Sequence, residues 1–208
     1  CGLIAGNAWE NPLDLGADIV TMSTYKSLGG PPGGAIITNN AEIAEKIDSI
    51  AFPGMTANFD AAKTAALAVT MLDWKEFGDD YVAEMVFMSK TLASSLEDYD
   101  IPIFFGALGH TQSHQFAVLA EEYGGGQRAS KSLRKSGFLA CGIGLPVKDL
   151  LGDMNGLRLG TPELVRWGMK AKDSNRLARL ISKALKGQTV KDEVSEWRKT
   201  FNKLHFVH

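Results

Sequence analysis

The sequence predicts an α/β protein, because short strand-like runs and long helical stretches follow one another along the chain. Residues 17–20 and 35–38 are apolar and rich in β-branched side chains, a composition typical of buried strands. Alanine-rich and amphipathic stretches between residues 59 and 96 have the composition of helices. After residue 100 the strand-like and helical runs become shorter, which indicates a smaller α+β region.

A loop that carries a lysine separates the first two predicted strands. This loop is the segment TMSTYKSLGGPPGG, residues 21–34, which contains Lys26. Residues 29–34 consist of glycine and proline, and neither residue type suits the interior of a helix or a strand. Small hydroxyl residues such as Ser23 and Thr24 surround the lysine. An amine in this setting suits a covalent bond to an aldehyde cofactor that carries a phosphate, whereas Lys26 considered alone is more simply a solvated loop residue.

The next part of the chain predicts three helices. Asn40 is a typical cap for a surface helix that continues to Ile50. An alanine-rich helix is predicted over residues 59–72. Gly78 is expected to interrupt the helical pattern, and Asp79 is expected to cap a long amphipathic helix that ends near Leu96.

The second half predicts alternating short elements. Strands are expected over residues 101–105, 115–119 and 137–141, and helices over residues 127–135, 173–186 and 190–206.

Composition argues against several classes of partner. The 208 residues carry a formal net charge of −2, so no nucleic-acid or membrane-surface partner is predicted. No apolar run approaches the roughly 18 residues that a membrane span needs. Cys1 and Cys141 form neither a metal-binding spacing nor a disulfide framework, which favours a cytoplasmic location. His110 and His114 are four residues apart but lie in a loop context, so no metal site is predicted.

Two segments resemble the serine hydroxymethyltransferase family, whose members are pyridoxal-phosphate enzymes of fold type I. The first is ADIVTMSTYKSLGGPPGGAIIT around Lys26, and the second is GLRLGTPELVRWGM around Arg158. The resemblance implies that Lys26 carries the cofactor covalently and that Ser23, Thr24 and Tyr25 bind it. It also implies that Arg158 binds the α-carboxylate of an amino-acid substrate.

The chemistry of arginine agrees with this implied role. A guanidinium presents a planar fork to both oxygens of a carboxylate, and flanking glycines leave its approach uncluttered. Without the resemblance, a structural ion-pair role for Arg158 is the simpler interpretation. Arg166 stays ambiguous, because it follows Thr161 and Pro162, a typical helix start that it could merely stabilise.

The family also implies an arrangement of domains and subunits. Residues 1–75 would form the C-terminal part of the large mixed α/β/α domain, residues 76–98 a connecting helix, and residues 99–208 a small α+β C-terminal domain. The aspartate and histidine that contact the cofactor ring in this family would precede Cys1. A homodimer or a dimer of dimers is expected.

The resemblance implies the interconversion of serine and glycine, with transfer of a one-carbon unit to tetrahydrofolate as co-substrate. Tyr25 and Pro32 depart from the family pattern, and the folate-binding stretch has no recognisable counterpart. A folate-independent aldolase or transaldolase acting on a β-hydroxy amino acid is therefore an alternative. An alternative of another class is a non-catalytic fragment or degenerate subunit.

Overall fold

The computed structural model describes residues 1–208, which divide into two compact units. The first unit comprises Cys1–Val82 together with Phe206–His208, and the second comprises Ala83–His205. The predicted domain boundaries at residues 75 and 98 stay a prediction. The α-helices are α1 (Gly2–Ala5), α2 (Ala41–Ser49), α3 (Ala61–Glu97), α4 (Gly126–Lys135), α5 (Pro162–Arg166), α6 (Ser174–Leu185) and α7 (Lys191–Arg198). The strands are β1 (Val20–Ser23), β2 (Gly34–Ile37), β3 (Gln115–Leu119), β4 (Cys141–Ile143) and β5 (Gly156–Gly160).

In the first unit, β1 and β2 form an antiparallel pair that frames the lysine loop. Val20 lies opposite Ile37 and Ser23 lies opposite Gly34. The prediction of a strand at residues 17–20 was wrong by three residues, because the ladder with β2 continues to Ser23. Residues 17–19 are exposed in this chain, so the prediction that this run is buried is also wrong.

Helix α3 is continuous for 37 residues and passes through Gly78. The predicted break at this glycine is wrong, since one glycine costs a helix interior only about 1 kcal/mol. At this point the helix packs closely against the end of α1: a Cβ on Gly6 would lie 2.5 Å from the carbonyl oxygen of Gly78. Asp79 does not cap a helix but accepts a hydrogen bond from the Asn7 side chain at 2.8 Å.

The start of the chain forms the short helix α1. Helix α2 is confirmed with its cap, because the Asn40 side chain accepts a hydrogen bond from the Ile43 amide at 3.1 Å.

The second unit is built on a three-stranded antiparallel sheet with β5 in the middle, between β3 and β4. Helix α4 packs against β4, β5 and α6. The buried apolar positions of α6 include Leu177, Leu180, Ile181, Ala184 and Leu185. Strand β3 and helix α4 are confirmed to within one residue.

Three element boundaries in this unit differ from the predictions. In residues 101–105 only Ile103 pairs, through a bridge to Val118, and Phe105 adopts a left-handed conformation that ends any strand there. Strand β4 begins at Cys141 rather than residue 137, since Gly137 has a positive φ of 90° in a turn after α4. Helix α7 ends at Arg198 rather than residue 206.

Candidate active site

Thr24 determines the shape of the lysine loop. Its amide donates to the carbonyl of Gly33 at 3.0 Å, and its carbonyl accepts from the amide of Gly30 at 2.8 Å. Its hydroxyl donates to the carbonyl of Pro31, and the residue is 2% exposed. Both donors of Thr24 therefore form hydrogen bonds inside the loop.

The loop is attached to helix α3 just after the lysine. Leu28 is 1% exposed, and its carbonyl accepts a buried hydrogen bond from the indole nitrogen of Trp74 at 2.7 Å. Gly30 lies so close to α3 that a Cβ there would approach the Leu67 side chain to 3.3 Å. These contacts hold the backbone on one side of Lys26 against a long helix.

The side chain of Lys26 is exposed, and its amine forms no hydrogen bond or ion pair within the chain. The hydroxyls of Ser23 and Tyr25 are likewise without a hydrogen bond, and Tyr25 is 53% exposed. The loop thus presents an uncommitted amine and two uncommitted hydroxyls on a fixed backbone. This donor set fits an aldehyde cofactor with a phosphate group.

Arg158 lies in the middle of the central strand β5. Its neighbours Leu157 and Leu159 are buried, whereas the guanidinium is exposed on the opposite face. The residues paired with it on the two flanking strands, Ala117 and Cys141, are small and leave it uncovered. The guanidinium of Arg158 forms no hydrogen bond or ion pair within the chain, so the alternative of a structural ion pair finds no partner there.

Thr161, directly after β5, is a structural anchor and does not cap α5. It is fully buried, and its hydroxyl lies 2.7 Å from the carbonyl of Met85 and 3.1 Å from the carbonyl of His114. The predicted capping role is wrong, because no side-chain capping bond forms at this helix start. The anchor joins the end of the arginine strand to helix α3.

His114 lies beside this anchor at the start of β3. Its Nδ1 is buried without a hydrogen-bond partner in the chain. Burial lowers the pKa of His114, and the positive charge of Arg158 lowers it further. The neutral form of the ring is therefore favoured. His110, the other histidine of this segment, hydrogen bonds instead to the Glu97 carboxylate at 2.6 Å.

The loop between β4 and β5 is rigidly held by two polar residues. The amide side chain of Asn155 exchanges hydrogen bonds with the backbone of Leu145 and also donates to the carbonyls of Val147 and Lys148. Asp153 accepts bonds from the first amides of α4, and these bonds hold its pKa below the usual range. The segment is thus ordered, although its sequence gave no recognisable match.

Sequence reasoning did not find the supporting role of Trp74, Thr161 or Asn155. Each acts through a partner that is distant along the chain or through several backbone groups at once. Only the burial expected for a tryptophan in an amphipathic helix could have indicated Trp74.

The fold and the two exposed cationic residues define a class of protein. A solved structure of an L-threonine transaldolase from Pseudomonas fluorescens superposes with a TM-score of 0.86 at 29% sequence identity. That alignment covers 99% of this chain and 48% of the solved chain. The chain therefore has the fold of a type I pyridoxal-phosphate enzyme.

The chain belongs to the serine hydroxymethyltransferase family, whose family model matches residues 1–181. An alpha-methylserine aldolase from a Ralstonia species is 53% identical over 100% of this chain, and one from Variovorax paradoxus is 52% identical over 99%. A serine hydroxymethyltransferase from Sulfolobus acidocaldarius is 36% identical over 99% of this chain. The chain spans about half the length of these relatives, namely 48%, 47% and 49%.

Proposed function

We propose that the full-length protein is a pyridoxal-phosphate aldolase that cleaves a β-hydroxy amino acid without tetrahydrofolate. The observation that carries the cofactor and substrate part of this proposal is that each family motif presents an uncommitted cation, the amine of Lys26 in one and the guanidinium of Arg158 in the other. An amine suits the cofactor and a guanidinium suits the substrate carboxylate.

Lys26 would hold the cofactor through a carbon–nitrogen bond and release it when the substrate amine takes its place. Ser23 and Tyr25 would donate hydrogen bonds from their hydroxyls, while Thr24 shapes the loop from within. When bound, pyridoxal phosphate withdraws electrons from the substrate Cα, which allows a bond at that carbon to break. The attachment of the loop to α3 would keep the amine in one position throughout.

Arg158 would bind the two carboxylate oxygens of the substrate and so fix the orientation of the other bonds at Cα. In the cleavage, the Cα–Cβ bond breaks, the β-hydroxyl loses its proton, and the β-carbon leaves as an aldehyde. The electron pair stays at Cα until a proton replaces the lost carbon. A planar guanidinium on a central strand is suited to orienting the substrate. Even a small misplacement of the substrate strongly lowers the rate of the reaction.

The comparisons support a folate-independent reaction more than the transfer to tetrahydrofolate. Four relatives named alpha-methylserine aldolase are 51 to 53% identical to this chain, whereas four named serine hydroxymethyltransferase are 34 to 36% identical. Tyr25 and Pro32, which depart from the pattern of the hydroxymethyltransferases, agree with a different acceptor.

The experiment is to supply the full-length, cofactor-loaded protein with glycine or alanine and a panel of aldehydes, each with and without tetrahydrofolate. We expect a β-hydroxy amino acid to form from a free aldehyde in the absence of folate. Product that forms only with tetrahydrofolate would overturn the proposal in favour of a hydroxymethyltransferase. No product in either case would favour the non-catalytic alternative.

A further inference from the structure

A cleft of about 390 Å³ lies within the second unit, and the proposed reaction does not use it. Aromatic side chains line it, among them Trp167, Trp197 and Phe201, together with the lysines Lys172 and Lys203. This volume falls in the range of small-molecule sites, at about 300 to 1,000 Å³.

The aromatic lining of the cleft is held in place by neighbouring groups. The guanidinium of Arg198 lies 4.4 Å from the centre of the Trp167 ring, and that of Arg176 lies 4.7 Å from the centre of the Trp197 ring. Phe201 meets Trp197 edge to face at 5.5 Å. The two indoles are therefore fixed before any ligand arrives.

The segment after α7, which forms another part of the lining, is attached at both ends. The Arg198 side chain donates to the carbonyl of Phe201 at 2.6 Å, and the amide of His205 donates to the carbonyl of Arg166 at 2.8 Å. His205 also packs against Gly168 so closely that a Cβ there would lie 2.6 Å from its Nε2. This cleft is consequently pre-formed, which lowers the entropic cost of binding.

The charge of the cleft is positive and partly uncompensated. Its lining contains three lysines and one aspartate, in a protein whose formal net charge is −2. Lys170 is paired with Glu84 at 3.4 Å, and Asp173 accepts a hydrogen bond from the Lys170 backbone amide. Lys172 and Lys203 are exposed and have no ion pair within the chain.

We propose that this cleft binds a small molecule in which a planar aromatic ring carries a carboxylate or a phosphate. The ring packs against the indoles and Phe201, and the anionic group meets Lys172 and Lys203. A flat ring gains from fixed aromatic surfaces, and an anion gains from two ammonium groups that have no other partner. Neither Lys26 nor Arg158 lines this cleft.

The test is calorimetric titration of the full-length, cofactor-loaded protein. Adenosine monophosphate serves as the phosphate probe and 2-naphthoate as the carboxylate probe, while adenosine, inorganic phosphate and acetate supply the ring or the anion alone. We expect at least one ring-bearing anion to bind with a Kd below about 1 mM, and the separate parts to bind at least about tenfold more weakly.

Matched variants locate the binding. The double variant Lys172→Ala, Lys203→Ala should bind the ring-bearing probe at least about tenfold more weakly than the wild type. The double variant Lys131→Ala, Lys135→Ala, with an equal charge change on α4, should bind it with unchanged affinity. Thermal unfolding of both double variants checks that the fold is retained. The proposal is overturned if neither probe binds, if phosphate or acetate alone binds as tightly, or if the two double variants behave alike.

Discussion

The exposure of the Arg158 side chain follows from the alternation of side chains along its strand. Leu157 is fully buried and Leu159 is 7% exposed, so the residue between them must point to the other face. There it has small neighbours, Ala117 and Cys141, and no acidic partner. The same local pattern that anchors β5 in the core thus leaves the guanidinium free for a ligand.

We predict that Arg158→Ala lowers kcat/KM for the amino-acid substrate at least about a hundredfold. The variant lacks the guanidinium and therefore loses two charge-assisted hydrogen bonds, which contribute roughly 1.5 to 3 kcal/mol each. Arg158→Lys keeps the charge but not the geometry and should also be strongly impaired. Steady-state kinetics measure the effect, with Arg134→Ala on α4 as the control. Normal kinetics in the alanine variant would assign Arg158 a merely structural role.

For Lys26 we predict covalent attachment of the cofactor. Borohydride treatment of the full-length protein should abolish its yellow colour and add a pyridoxyl mass to the peptide that contains Lys26. Lys26→Ala should lose both signals, while Lys46→Ala on α2 should keep them. A pyridoxyl mass on another lysine would contradict the assignment.

Individual residues differ in how far the sequence predicts them. Lys26 and Arg158 stand out because motif and chemistry agree, and the structure places both where their side chains are uncommitted. Thr24 uses its two donors within the loop, and this use depends on the folded path of residues 30–33, which the sequence does not show. The expected contacts of Ser23, Thr24 and Tyr25 with the cofactor stay predictions.

At the scale of elements, a cluster of glycines lets helix α4 lie directly on the sheet. A Cβ on Gly142 would lie 2.8 Å from the amide nitrogen of Gln127, and a Cβ on Gly126 would collide with the carbonyl oxygen of Gly156. Gly156 is the first residue of β5. This close approach therefore helps to position the strand that carries Arg158.

We predict that Gly126→Ala lowers the free energy of unfolding by at least about 2 kcal/mol, because backbone on β5 would have to move. Gly144→Ala is the matched control, since a Cβ there meets nothing within 4 Å, and its effect should stay below about 1 kcal/mol. Denaturant unfolding of both variants measures the difference. Equal stabilities would show that α4 can shift freely on the sheet.

The end of the chain forms a second stabilising contact, on helix α3. The imidazole of His208 lies 2.8 Å from Asp73 and 2.6 Å from Glu76, and its ring is 5.4 Å from that of Phe77. Hydrogen bonds to Asp73 and then to Glu76 raise the pKa of His208 above its usual 6.5. The charged histidine is thus favoured in the folded state.

Because the folded pKa of His208 is raised, its stabilising contribution is fully present below about pH 6.5 and is lost as the pH rises through the folded value. We predict that His208→Gln lowers the melting temperature more at pH 6 than at pH 9. Thermal unfolding across this range provides the measurement. A difference between wild type and variant that does not change with pH would refute the assignment.

Element types were more predictable from the sequence than element boundaries. Helix α2 follows its asparagine cap, and α4 and α6 follow their periodicity, because these signals are local. Helix α3 does not follow its local signal, since it continues through Gly78, where it packs against Gly6, 72 residues away in the chain. Strand β1 was misplaced for a similar reason: its end is set by pairing with β2 across the loop.

For the whole molecule, the family could be recognised from two motifs, but the acceptor of the reaction could not. The motifs contain the groups that hold cofactor and carboxylate, which aldolases and hydroxymethyltransferases share. No helix has the length and apolar character needed to cross a membrane. The homodimer or dimer of dimers and the cytoplasmic location stay predictions.

The most direct test of the account is the cleavage of 2-methylserine by the full-length protein without tetrahydrofolate. We predict release of formaldehyde together with alanine, as the Cα–Cβ bond breaks, at a rate that added tetrahydrofolate does not raise. Lys26→Ala should abolish the release, because the cofactor loses its attachment. Absence of cleavage without folate, with rapid serine cleavage once folate is added, would contradict the account.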